Sequence, residues 1–198
     1  MEQGSQGFVL SGGIGAGKSY VAALFKAAGV DMIEADAVGH QVLASGGACF
    51  DQVAERWPIV VVDGEIDRTA LGAIVFQDHE QLRILESITH PAIAAEIARR
   101  IAMSRARLVG IERPFLTGVI GEGLPLIVVD SPTELRTARL LKRGMEANDI
   151  VARMAAQPSR AEWLAGADFV IDNDCGADLD RQVARAISWL ESFVTGTG

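Results

Sequence analysis

Residues 10–20, LSGGIGAGKSY, set four glycines ahead of a lysine and a hydroxyl. Gly12 to Ser19 fit the spacing G-x-x-x-x-G-K-[ST], whose chemistry is phosphate binding. Glycines let successive backbone N–H groups turn toward one centre and form an anion nest, to which a helix starting near Lys18 adds its positive end. Lys18 can reach β- and γ-phosphates, and the Ser19 hydroxyl can ligate Mg²⁺. Gly13, Gly15, Ala16, Gly17, Lys18, Ser19 and Tyr20 are therefore the candidate nucleotide-binding residues. A plain glycine-rich turn ending in Lys-Ser would have the same composition. The strand-like GFVL before it and the helix-like YVAALFKAAG after it supply the context that phosphate binding requires.

Phosphoryl transfer to a hydroxyl also needs a carboxylate, and in open α/β sheets such groups stand at the carboxyl ends of strands. Asp36, Glu112 and Asp130 each follow an apolar run. Each is equally a residue type that caps helices or faces water. Arg139 and Arg143 lie four apart and share one face of the helix after Asp130, where guanidinium groups can grip phosphate oxygens in pairs. With Arg136 and Lys142 alongside, the same spacing also describes a solvated helix face.

The elements that must hold these residues alternate. Short apolar runs at 7–10, 30–33, 107–111, 124–129 and 168–171 read as buried strands. Between them run helical patterns, such as Val21, Leu24, Phe25 and Ala28, stopped by Gly29. Ser131-Pro132-Thr133-Glu134 predicts a helix with Ser131 as its N-cap and an end near Arg143, and Ser159 with Glu162 repeats the signature. His90-Pro91 reads as another helix start. This is the pattern of an α/β fold with a parallel sheet covered by helices on both faces. The stretch 37–105 is mainly helical, too long for one crossover, and predicts a subdomain.

The 198 residues carry a formal charge of −8, which repels nucleic acid and anionic membranes, so an anionic ligand needs a local cationic site. No apolar run approaches a membrane span and no leader-like segment opens the chain, which predicts a cytoplasmic protein. Cys49 and Cys175 belong to no metal-binding or redox motif and read as reduced and incidental.

Several stretches together resemble the dephospho-CoA kinase family. LSGGIGAGKS is similar to its TGGIGSGKS loop, MIEADAVGHQVL to VIDADxIAR, and DGEIDRTALGAIVF to DGELDRxxLxxxVF. ITHPAI, TELRTARLLKR and AAQPSRAEWLAGADFVIDN resemble LHPxI, xxQxxRLxxR and AAQxxRxxRLxxADxVIDN, collinearly over roughly the whole chain. The resemblance implies a three-layer P-loop kinase fold with a five-stranded parallel sheet, made of a core (about 1–36, 106–143 and 167–198), an inserted helical CoA-binding subdomain (about 37–105) and a lid (about 144–166). It implies ATP- and Mg²⁺-dependent phosphorylation of the ribose 3′-hydroxyl of dephospho-CoA by a monomer or weak homo-oligomer. Asp36 matches the family's base, and Asp36, His40, His90 and Pro114 are the implied acceptor-binding residues. Arg139 and Arg143 match phosphate contacts, Arg160 a lid residue that clamps ATP, Asn173 the loop passing the adenine, and Glu112 a metal contact through water.

The chain departs from the pattern at several positions. Glu112 stands for aspartate, Gly118 for glutamate, Trp163 for arginine, Arg136 for glutamine, His40 for arginine and Tyr20 for threonine. Glu122 follows close enough to Gly118 to be a substitute carboxylate. Two other functions fit these departures: a P-loop kinase of another small metabolite, and a non-catalytic nucleotide-binding relative.

Overall fold

The computed structural model describes residues 5–113 and 121–195, the last two by backbone alone. Backbone contacts divide the chain into two compact units, residues 34–100 and the remainder.

The larger unit is built on β1 (Gln6–Ser11), β2 (Asp31–Glu34), β5 (Leu108–Glu112), β6 (Leu126–Asp130) and β7 (Phe169–Asp172), in the sheet order β2-β5-β1-β6-β7. The pairs β1–β5, β1–β6 and β6–β7 run parallel. All five strands were legible as apolar runs; the three central ones, β1, β5 and β6, are buried almost throughout because both faces are covered there, while the edge strands β2 and β7 keep exposed positions. On one face Phe8, Leu10, Ile127, Val129 and Ile171 pack with Val21 and Phe25 of α1 (Lys18–Ala27) and with Val183, Ala186 and Leu190 of α9 (Leu179–Thr195). On the other, Val9, Leu126 and Val128 pack with Trp163 of α8 (Arg160–Ala165). The result is three layers. Trp163, which stands where the family has arginine, is 2% exposed and fills the core between α8 and the sheet.

Two connecting helices complete this unit, α6 (Thr133–Lys142) and α7 (Ala147–Ala155). Ser159 and Glu162 form the expected capping box at the start of α8. The expectation for α6 is corrected. Pro132 takes the N-cap position without a side-chain cap, while the buried Ser131 hydroxyl donates to the Asn173 carbonyl at 3.0 Å. The Ser131 oxygen, which an N-cap would use as acceptor, instead accepts from Arg139 Nη1 at 3.1 Å. In α1 the apolar face includes Ala22, and Ala28 is its exposed C-cap.

Residues 34–100 hold α2 (Ala35–Leu43), α3 (Phe50–Arg56), a 3₁₀ turn (Pro58–Val60), the β3–β4 hairpin (Val61–Val62 and Glu65–Ile66), α4 (Arg68–Val75) and most of α5 (His79–Met103). The hairpin was not foreseen in the mainly helical stretch. Its signal is Asp63-Gly64, whose φ angles of 51° and 80° both lie in the left-handed region that a two-residue hairpin turn demands. Asp67 caps α4 by accepting from the N–H groups of Thr69 and Ala70. His90-Pro91 starts no helix: Pro91 lies inside α5, where Thr89 donates its hydroxyl to the Leu85 carbonyl. Among the described residues no helix is long and apolar enough to cross a membrane.

Candidate nucleotide-binding site

The loop 12–17 leaves the carboxyl end of β1, the middle strand, and leads directly into α1. Its glycines answer to specific neighbours. At Gly17, φ is 97° and a Cβ would come within 2.2 Å of Asn173 Nδ2. At Gly13 a Cβ would meet the Arg136 guanidinium at 2.4 Å. The pattern therefore records what lies behind the loop as well as what binds in front of it.

Behind it, three side chains hold the loop's carbonyl oxygens. Arg136 Nε donates to Ile14 O at 2.8 Å, and Asn173 Nδ2 donates to Ala16 O at 2.7 Å. Arg139 Nη1 donates to Ala16 O at 3.3 Å and to Ser131 Oγ at 3.1 Å, while its Nη2 donates to Asn173 O at 2.9 Å. Gln157, between α7 and α8, accepts from the Ile14 N–H at 2.8 Å. Carbonyls drawn toward cations orient the peptide dipoles so that N–H groups face the opposite side, the arrangement of an anion nest. Burial pulls the Arg136 guanidinium below its ordinary basicity, and the Asp130 charge partly offsets that.

Lys18 is half-buried at the first residue of α1, and Ser19 and Tyr20 follow exposed. The Ser19 hydroxyl donates to Glu112 Oε1, at the end of β5, at 3.0 Å. A hydroxyl and a carboxylate side by side at the start of α1 are hard oxygen donors of the type Mg²⁺ takes.

Asp130, at the end of β6, accepts from Arg160 Nε at 3.0 Å and from Nη2 at 2.6 Å. This carboxylate is 9% exposed and committed to the arginine, whose own pKa it raises. Of the three strand-end acids, Asp130 is thus an anchor for the first residue of α8, and Glu112 is the one beside Ser19. Arg143 is the exposed C-cap of α6, one turn past the half-buried Arg139. In the other unit, Asp36 is exposed in the first turn of α2, with His40 four residues further along the helix. His90 is half-buried in the middle of α5. Pro114 and Gly118 lie outside the described residues, and Glu122 is exposed in the turn before β6.

Sequence reasoning missed Ser131 and Gln157. Gln157 stood in the quoted AAQPSR stretch and could have been singled out there. Ser131 was legible only as a local cap, because its partner Asn173 is 42 residues away. Arg136, noted as a departure, is a brace of the loop.

Comparison with known proteins agrees with this geometry. The dephospho-CoA kinase family model matches residues 8–178. A dephospho-CoA kinase of Methylococcus capsulatus is 41% identical over 169 residues, covering 83% of this chain and 85% of its own. Among solved structures, a Thermus thermophilus protein superposes with a TM-score of 0.82 at 30% identity, over 98% of this chain and all of its own. A Campylobacter jejuni dephospho-CoA kinase superposes with a TM-score of 0.68 at 28% identity, over 94% of this chain and 98% of its own. The match runs from the first core strand to the loop before α9, and the chain belongs to the dephospho-CoA kinase family.

Proposed function

We propose that this chain transfers the γ-phosphoryl group of ATP to the ribose 3′-hydroxyl of dephospho-CoA, giving CoA and ADP. The observation that carries the reading is the braced loop 12–17 within a family match over most of the chain. Loop N–H groups and the start of α1 take the β- and γ-phosphates, and Lys18 follows the charge that moves with the γ-phosphoryl. Ser19 and Glu112 are the residues that fit Mg²⁺, which when bound neutralises phosphate charge. Glu112 is one methylene longer than the family's aspartate and would hold the metal through a bridging water.

Asp36 is the carboxylate for the acceptor. It accepts or orients the proton of the 3′-hydroxyl as the oxygen attacks phosphorus. Residues about 37–105 form the acceptor-binding subdomain, with His40, His90 and Pro114 as contacts. Arg143 and Arg160 complete the phosphate contacts when residues about 144–166 close over the nucleotide and exclude water. Arg160 then exchanges Asp130 for phosphate, and Asn173 and Tyr20 border the nucleotide.

The test is direct. Purified protein with ATP, Mg²⁺ and dephospho-CoA is expected to yield CoA and ADP in equal amounts by mass spectrometry. Tight ATP binding with no CoA, from folded protein, would contradict the proposal and favour another acceptor or a non-catalytic nucleotide-binding role.

A further inference from the structure

Within residues 34–100 lies a cavity of about 240 Å³, lined by His40, Leu43 and Ala44 at the end of α2, Glu65 and Ile66 of β4, and Arg68 at the start of α4. Its two faces differ in chemistry. Arg68 brings a positive charge and, with His40, hydrogen-bond donors, while Leu43, Ala44 and Ile66 give an apolar wall. Glu65 adds one negative charge, so any attraction for an anion rests on Arg68 and the His40 donor. Among the described residues Arg68 has no carboxylate partner. The first N–H groups of α4 are already satisfied by Asp67, so the side chain of Arg68, not the helix end, is what this wall offers.

The position of the cavity relative to Asp36 gives it a role. Asp36, His40 and Leu43 follow at i, i+4 and i+7 and share one face of α2. At the helical rise, His40 is about 6 Å and Leu43 about 11 Å further along the axis than Asp36. A nucleotide whose 3′-hydroxyl is at Asp36 carries its 5′-diphosphate across one ribose, roughly one to two helical turns away. Beyond the diphosphate of dephospho-CoA comes a branched aliphatic carbon chain. A cation next to an apolar wall, at that offset, matches a diphosphate followed by such a chain.

We propose that this cavity is the acceptor's diphosphate subsite, with Arg68 as its specificity-determining cation and His40 as a second donor. The proposal rests on the kinase reading above and adds to it the residue that recognises the acceptor beyond its ribose. Arg68 touches neither the transferred phosphoryl group nor ATP, so its loss should act on acceptor binding alone.

Steady-state kinetics of Arg68→Gln and Arg68→Lys test this, with thermal unfolding as a control for folding. Arg68→Gln is expected to raise KM for dephospho-CoA about tenfold to a hundredfold, the effect of a lost charge-assisted contact, with Arg68→Lys restoring part of it. KM for ATP and kcat should stay within about twofold of wild type, the signature of lost ground-state binding. An unchanged KM for dephospho-CoA, or an equal rise in KM for ATP, would overturn the proposal. Should wild type make no CoA, the kinase reading fails, and calorimetric titration of dephospho-CoA decides the subsite separately. Weaker binding to Arg68→Gln than to wild type is expected there, and equal binding, or none to either, would overturn it.

Discussion

At the scale of single residues, the phosphate loop is held in place by side chains that the loop motif does not contain. Arg136 is 6% exposed, yet its Nε meets a backbone carbonyl rather than a carboxylate. Burying a guanidinium is unfavourable unless its donors are used, which is why the bond to Ile14 O matters. Arg136→Met keeps most of the volume and leaves that carbonyl without its donor. It is expected to lower stability by about 1–3 kcal/mol and to weaken ATP binding. Urea unfolding and nucleotide titration check the two effects, and a variant as stable as wild type with unchanged ATP affinity would show that the brace is idle. The motif G-x-x-x-x-G-K-S was legible at sight because its residues are contiguous between one strand and one helix. Ser131, Asn173 and Arg136 were not, because what fixes their roles is contact across the sheet. Asn173 read as a nucleotide contact and Arg136 as a departure from the family's glutamine or part of a solvated helix face. The structure gives both a bond to the loop itself.

At the scale of elements, strands were easier to read than helix ends. A strand covered on both faces writes itself as an unbroken apolar run, whereas a helix end depends on whether a hydroxyl has a better partner elsewhere. Ser159 Oγ accepts from the Glu162 N–H and caps α8, while Ser131 Oγ accepts from Arg139 Nη1 and caps nothing. Pro91 shows the same limit, since proline suggests a boundary while α5 continues through it to Met103. The carboxyl of Glu96 in α5 is lowered to about 2 by hydrogen bonds from Arg99 and then Arg100, with the charges of the same two arginines adding to the effect. A carboxylate whose folded pKa lies below its unfolded value contributes stability that is present above the unfolded pKa and is lost as pH falls through the folded one. Wild type should therefore be more stable than Glu96→Gln at pH 6, with the difference shrinking below the ordinary value of 4.5 and vanishing near about 2. Paired urea midpoints at pH 6 and pH 2 check this. A difference that persists unchanged at pH 2 would mean that packing, not charge, distinguishes the two side chains.

At the scale of the whole molecule, one unit carries the braced phosphate loop and the other carries Asp36, the carboxylate proposed for the acceptor hydroxyl. In the proposed reaction Asp36 acts on that hydroxyl and takes no part in holding ATP. The most direct measurement is a single-turnover quench with γ-labelled ATP, Mg²⁺ and dephospho-CoA, comparing wild type with Asp36→Asn. Wild type should move the label to the 3′-hydroxyl. Asp36→Asn should bind ATP with unchanged affinity and transfer the label slower by about a hundredfold or more, the usual contribution of a positioned base. Transfer at the wild-type rate by Asp36→Asn would contradict the account, and so would a loss of ATP affinity equal to the loss of rate.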